Sequence, residues 1–112
     1  KKGAEEISEM MKKFRENPFS EISGSKVTRM EDYLIGEATN FETNSKNKID
    51  IPSSNVLIYY TQDGSKIAMR PSGTEPKIKF YISVHTSSEN GAKAEGLLQE
   101  KINSIIVFLN NN

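Results

Sequence analysis

The stretch VLIYYTQDGSKIAMRPSGTEPKIKFYISV, residues 56–84, decides the fold because it carries three consecutive strand signals. A run of β-branched and aromatic residues over 56–61 ends at the turn sequence of residues 62–65, and residues 66–70 return from it, which is typical of a hairpin. Over residues 78–85, apolar and polar side chains alternate strictly, as in a strand that buries one face. The stretch therefore predicts a three-stranded antiparallel meander.

On its N-terminal side, the sequence predicts a helix, a strand and a loop. The helix follows from an apolar stripe at helical spacing that stops before Asn17-Pro18, made of Ile7, Met10, Met11 and Phe14. A further strand is predicted near residues 27–32. Residues 35–54 are mostly Asn, Thr, Ser, Lys and Gly with few apolar side chains, so we expect a mobile surface loop without regular structure.

On the C-terminal side, Thr86 and Glu89 have the spacing of a capping box, and a wide apolar stripe over residues 94–109 predicts a long helix facing the core. Helix, strand, loop, three meandering strands and helix together predict an α+β fold. We expect an antiparallel four-stranded sheet with two helices packed on one face.

Length and composition restrict the possible classes of protein. With 112 residues and 12.6 kDa, residues 1–112 are expected to form a single domain. Fifteen basic and fifteen acidic residues cancel, which argues against the cationic surface of a non-specific nucleic-acid binder, and the absence of Cys excludes disulfides and thiolate chemistry. No run approaches the roughly 20 apolar residues of a membrane span. We expect a cytoplasmic protein without membrane contact and, because the chain begins without Met, a piece excised from a longer chain.

The loop between the second and third meander strands has the chemistry of an anion site. It offers a guanidinium, two hydroxyls, a small backbone position and a lysine, contributed by Arg70, Ser72, Gly73, Thr74 and Lys79. Such donors suit the acceptor oxygens of a phosphate, and the flanking prolines restrict the loop between them. Composition alone leaves an equal alternative, an ordinary tight turn with solvated charges at the sheet edge.

Residues 70–77, Arg-Pro-Ser-Gly-Thr-Glu-Pro-Lys, followed by Ile-Lys-Phe-Tyr, resemble the phosphate-binding loop of the C-terminal domain of the alpha-D-phosphohexomutases. The similarity extends over residues 51–82, and the family includes phosphoglucomutase and phosphomannomutase. The resemblance implies a TATA-binding-protein-like α+β fold. It also implies that the substrate phosphate is contacted by Arg70, Ser72, Gly73 and Thr74, with Lys79 as a second basic contact.

The resemblance further implies a role within a larger enzyme, one that interconverts hexose 1-phosphate and 6-phosphate through a bisphosphate intermediate. The family's catalytic phosphoserine, magnesium loop and sugar loop do not occur in these 112 residues. We therefore expect no catalytic residue and no metal ligand in this chain, which should be inert by itself. Mg²⁺ would be bound by another domain, and the partners would be the phosphosugar and the remaining domains of the same enzyme.

Two alternatives of other classes stay open. A standalone anion-binding or regulatory module would use the same loop without an enzyme. A nucleic-acid-binding sheet would need an exposed aromatic face built from Tyr59, Tyr60, Phe80 and Tyr81, against which the neutral net charge argues. The single histidine, His85, is interpreted as an exposed strand-end side chain rather than a general base.

Overall fold

The computed structural model describes residues 2–84 and 91–110. These ranges form two helices and seven strands: α1 (Lys2–Glu16), β1 (Glu21–Ile22), β2 (Ser25–Asp32), β3 (Glu37–Asn40), β4 (Ser45–Lys48), β5 (Leu57–Thr61), β6 (Lys66–Pro71), β7 (Ile78–Ser83) and α2 (Gly91–Asn110). The capping box of Thr86 and Glu89, and His85, lie outside the described residues.

The strands form one antiparallel sheet in the order β4-β3-β2-β5-β6-β7, with β1 paired to β2. The predicted α+β class, the β5–β6–β7 meander and both helices are confirmed. The predicted sheet size is wrong, because the described residues contribute seven strands and not four. The predicted four correspond to β2, β5, β6 and β7, so β1, β3 and β4 were missed.

Residues 35–54 contain a β-hairpin, β3–β4, rather than the expected irregular loop. Every residue of β4 is exposed, so burial does not order that strand. β4 is ordered by backbone pairing with β3, which in turn adds to the edge of β2. Asn40 Oδ1 also accepts the N–H groups of Glu42 and Thr43 at 2.9 and 3.2 Å, and Asn44 turns the chain with φ of 56°. The prediction of an irregular loop was wrong because it used only the low apolar content of these residues, which does not report backbone pairing.

One face of the sheet carries the core. Alternate residues of the central strands point to this face, and both helices pack on it, so the predicted one-sided arrangement of the helices is observed. The core cluster contains Met30, Leu57, Tyr59, Ile67 and Met69 from the sheet, Met11 and Phe14 from α1, and Ile105 and Leu109 from α2. Truncating such a buried side chain to Ala costs about 2–5 kcal/mol of stability.

The C-terminal half of α1 is fixed to the sheet by polar contacts as well as by its core residues. The buried Tyr59 hydroxyl donates to the Phe14 carbonyl at 2.9 Å. Arg15 Nε donates to Asp32 Oδ1 at 3.0 Å, and Arg15 Nη2 donates to Asn55 Oδ1 at 2.5 Å. These bonds join the end of α1 to the end of β2 and to the residues before β5. Neither helix is long and apolar enough, over the residues described, to cross a membrane.

Candidate functional site

The predicted anion loop, residues 72–77, connects the end of β6 to the start of β7. The Ser72 N–H donates to the Lys77 carbonyl at 2.8 Å, and the Lys77 N–H donates to the Glu75 carbonyl at 2.8 Å. Ser72 Oγ accepts longer contacts from the N–H groups of Thr74 and Glu75, at 3.4 and 3.2 Å. The loop is thus a compact turn around the Ser72 hydroxyl, whose own hydrogen can still be donated.

Two cations lie side by side at the base of this loop. Arg70 and Lys79 are direct cross-strand partners in the β6–β7 ladder, and both are exposed. Within residues 2–84 and 91–110, no carboxylate forms an ion pair with either side chain. Like charges placed directly opposite each other destabilise a strand pair. A bound anion would remove this repulsion and gain attraction from both groups.

The one carboxylate in the loop is paired within the loop. Glu75 Oε1 lies 3.3 Å from Lys77 Nζ, and both side chains are more than half exposed. Glu75 and Lys77 therefore form an ion pair within the loop. It places a cation beside the carboxylate and leaves Arg70 and Lys79 as the unpaired charges of the site.

The backbone conformation of the 72–77 loop does not require a glycine at position 73. Its φ is not in the left-handed region, and a Cβ added to it would meet no atom within 4 Å. Its N–H has no acceptor among the residues that the structure describes. A glycine that neither the backbone nor a neighbour needs is compatible with the close approach of an external group, which is the role predicted for it.

The structure therefore brings the five predicted site residues together. Arg70 and Lys79 flank the loop as cross-strand partners, and Ser72, Gly73 and Thr74 lie between them along the chain. The Ser72 N–H closes the loop and is therefore not available to a ligand. The Thr74 hydroxyl has no partner in the part of the chain that the structure covers.

Sequence reasoning missed the contact between Arg70 and Tyr81. The Arg70 guanidinium lies 5.7 Å from the centre of the Tyr81 ring, a cation–π contact on the face of the sheet opposite the core. Tyr81 is 51% exposed. The strict alternation of β7 was the available signal, because it places Lys79 and Tyr81 on the same face.

The four aromatic residues considered as a stacking platform do not share one surface. Tyr59 is fully buried and Phe80 packs against the core, whereas Tyr60 and Tyr81 lie on the opposite face. The Tyr60 hydroxyl donates to Glu31 Oε1 at 3.0 Å, and Lys66 Nζ lies 5.8 Å from the Tyr60 ring centre. Burial together with this hydrogen bond raises the pKa of Tyr60 to about 12.

Glu31 is the acceptor at the centre of that polar cluster. Burial raises its pKa, but hydrogen bonds from Arg29, Tyr33 and Tyr60 outweigh the burial and hold the pKa below its usual range. Both Glu31 oxygens are therefore occupied by protein donors. Among the residues described, no three His, Cys, Asp or Glu side chains converge as a metal site would require.

The comparisons with known proteins agree with the motif in the 72–77 loop. Residues 5–99 match the family model "Phosphoglucomutase/phosphomannomutase, C-terminal domain". The chain is 46% identical over 82 residues to "Phosphoglucomutase" of Staphylococcus aureus strains USA300 and MRSA252, and 44% identical to that of strain N315.

Each of these alignments covers 73% of this chain but only 15% of the relative, so the chain spans a small part of the proteins that it matches. No solved structure gives a significant match. The match of the family model over most of the chain shows that this chain belongs to the phosphoglucomutase/phosphomannomutase C-terminal domain family.

Proposed function

We propose that this chain is the substrate-phosphate-binding C-terminal domain of a phosphoglucomutase or phosphomannomutase. The whole enzyme would interconvert hexose 1-phosphate and hexose 6-phosphate through a bisphosphate intermediate, and this domain would hold the phosphate that is not reacting. The TATA-binding-protein-like class of the fold and a cytoplasmic location belong to the same proposal.

The observation that carries the proposal is the cross-strand pair of unpaired cations, Arg70 and Lys79, at the base of the 72–77 loop. An Arg fork can donate two parallel hydrogen bonds to phosphate oxygens, and Lys adds a compact positive charge. The Gly73 N–H and the hydroxyls of Ser72 and Thr74 supply further donors. The site is local, since the net charge of the chain is +0.

Such a site would recognise the tetrahedral, negatively charged phosphate group rather than one particular sugar. The bisphosphate intermediate must turn over between half-reactions, so each of its two phosphates has to be accepted in turn. A loop that contacts mainly phosphate oxygens tolerates both orientations. Choice among sugars would then depend on other domains, and closing this domain over the substrate would exclude water from the phosphoenzyme.

This chain supplies binding and positioning but not the chemical step. Phosphoryl transfer needs a donor group and charge neutralisation by a metal. The described residues do not form a Mg²⁺ site, and in this proposal another domain of the enzyme would bind Mg²⁺. The partners of this chain in the proposal are the phosphosugar and the other domains of the same enzyme.

Calorimetric titration of the 112-residue chain with glucose 1-phosphate tests the proposal. We expect saturable binding with a dissociation constant of about 1 mM, corresponding to about 4 kcal/mol, and no binding of glucose. Arg70→Ala should abolish it. Lys66→Ala is the matched control, because it removes one positive charge from the same face of β6, four residues away from Arg70.

The same titration separates the alternatives. Equal loss of binding in Lys66→Ala and Arg70→Ala would mean diffuse attraction and would contradict a built site. Binding of an oligonucleotide in preference to glucose 1-phosphate, with steep dependence on salt, would favour the nucleic-acid-binding sheet. If the gene that encodes this chain specifies no catalytic serine and no metal loop, phosphate binding by the chain would favour the standalone module.

A further inference from the structure

The first turn of α1 lies directly against the 72–77 loop. A Cβ added to Gly3 would lie 2.6 Å from Pro76 Cβ and 3.2 Å from Pro76 Cγ. The first of these distances is shorter than any ordinary carbon–carbon contact, so one of the two segments would have to move. The Pro76 ring is closed onto the backbone and cannot rotate away, as the end of a flexible side chain would.

A displacement of Pro76 would reach the bonds that close the loop. Pro76 lies between Glu75 and Lys77, which are joined by the 2.8 Å bond from the Lys77 N–H to the Glu75 carbonyl. The Lys77 carbonyl accepts the Ser72 N–H, also at 2.8 Å. A shift at Pro76 therefore alters the turn that holds the Ser72 hydroxyl and the Gly73 N–H in place.

The rest of α1 cannot easily retreat from the contact. Met11 and Phe14 are buried in the core, and the Phe14 carbonyl accepts the Tyr59 hydroxyl. Arg15 is bonded to Asp32 and Asn55. The helix body is thus fixed on the sheet, whereas the loop is exposed and held by a few hydrogen bonds. A side chain at position 3 would be accommodated by movement of the loop.

We propose that Gly3 is a positioning residue for the anion site: the absence of a side chain lets α1 pack on Pro76 and so sets the shape of the 72–77 loop that receives the phosphate. The inference rests on the proposed function and adds to it a residue about seventy positions away in the sequence. The role of Gly3 requires no contact with the phosphate itself.

The test is a titration of the 112-residue chain and its variants with inorganic phosphate. We expect Gly3→Ala to raise the dissociation constant about tenfold, the size of effect that loss of one hydrogen bond to an anion produces. Gly96→Ala is the matched control, because it is also a helical glycine and its added Cβ meets nothing within 4 Å. It should bind phosphate like the unchanged chain.

The Pro76→Gly background separates an effect on loop position from a general loss of stability. Pro76→Gly removes both carbons that the new side chain would meet, so Gly3→Ala should have no further effect on the dissociation constant in that background. Thermal unfolding of each variant gives the fraction folded at the titration temperature. A purely structural role would lower the melting temperature while the folded fraction kept its affinity.

The possible failures are distinguishable. Unchanged affinity in Gly3→Ala would overturn the inference and leave the proposed function intact. Another possible result is that Gly3→Ala lowers the affinity equally in the unchanged chain and in the Pro76→Gly background. That result would overturn the inference, because the loss of affinity would not depend on the contact between residue 3 and Pro76. Absence of phosphate binding by the unchanged chain would contradict the proposed function, and the inference with it.

Discussion

The two connections of the β5–β6–β7 meander differ in how they use their polar groups. In the turn of residues 62–65, Asp63 Oδ1 accepts the Thr61 hydroxyl at 2.5 Å and the Ser65 N–H at 3.1 Å, and Asp63 Oδ2 lies 3.4 Å from Lys101 Nζ. The 72–77 loop instead leaves Arg70 without a carboxylate partner among the described residues, and the N–H of Gly73 without an acceptor there.

The difference distinguishes a connection that only reverses the chain from one suited to bind a ligand. The first consumes the N–H groups of all four of its residues, and its Ser65 hydroxyl is buried without a partner within the described residues. The second retains donors on an exposed surface. A ligand can use only donors of the second kind, because it can reach them and they have no competing partner.

Arg70→Ala should produce the largest effect on function. In the whole enzyme of the proposed function, we expect the transition-state stabilisation that kcat/KM for the phosphosugar reports to fall by about 3 kcal/mol, since a charge-assisted contact is lost. The free energy of unfolding should change by less than about 0.5 kcal/mol, because the side chain is exposed. Steady-state kinetics and urea unfolding give the two values. Unchanged kinetics would show that Arg70 does not contact the substrate.

Asp63→Ala should have the reverse profile. It removes the acceptor of two hydrogen bonds in the 62–65 turn, so the free energy of unfolding should fall by about 2 kcal/mol. Phosphate affinity of the folded chain should not change. Urea unfolding and phosphate titration of the same preparation check both statements. A loss of affinity without a loss of stability would mean that the two connections do not have separate roles.

The same carboxylate gives a smaller effect that depends on pH. Burial raises the pKa of Asp63, but hydrogen bonds from Thr61 and Ser65, and the charge of Lys101, outweigh burial and hold the pKa well below its usual range. A carboxyl whose pKa is depressed by folding stabilises the fold above its unfolded pKa of about 4, and this stabilisation is lost as the pH falls towards the folded pKa.

The measurement is urea unfolding of the unchanged chain and of Asp63→Asn at a series of pH values between neutral and about 2. The unchanged chain should lose stability more steeply below pH of about 4, because Asn does not titrate. Parallel curves would contradict the assigned shift of the Asp63 pKa.

The two glycines of these connections offer the smallest and most closely matched pair of changes. Gly64 has φ of 88°, whereas the φ of Gly73 is not in the left-handed region and the space around it is open. Gly64→Ala should therefore cost about 1 kcal/mol of stability, and Gly73→Ala should leave stability within about 0.5 kcal/mol while weakening phosphate binding. Equal destabilisation by both would mean that the loop needs Gly73 for its own conformation.

Much of the fold was predictable where burial creates a periodic pattern. The alternation in β7 and the apolar stripes of α1 and α2 identified these elements because each has one buried face. The β3–β4 hairpin was not predictable in this way, since β4 is fully exposed and is ordered by backbone pairing and by turn residues such as Asn40 and Asn44. Composition alone does not report such bonds.

The candidate site was predictable as a set of residues but not as a geometry. The motif identified Arg70 and Lys79, yet their direct pairing depends on the β6–β7 register, which the length and shape of the loop determine. Which donors the loop consumes, such as the Ser72 N–H, also required the structure. The contact of Gly3 with Pro76 depends on how α1 packs on the sheet, and no local pattern encodes that.

The most direct test of the central claim follows the backbone amide resonances of the 112-residue chain during titration with glucose 1-phosphate. We expect saturable shifts at Gly73 and Thr74 and none at Gly64 or Ser65, because the N–H groups of residues 62–65 are already bonded within the protein. Absence of shifts at Gly73 and Thr74, or shifts of equal size in both connections, would contradict phosphate binding by the 72–77 loop.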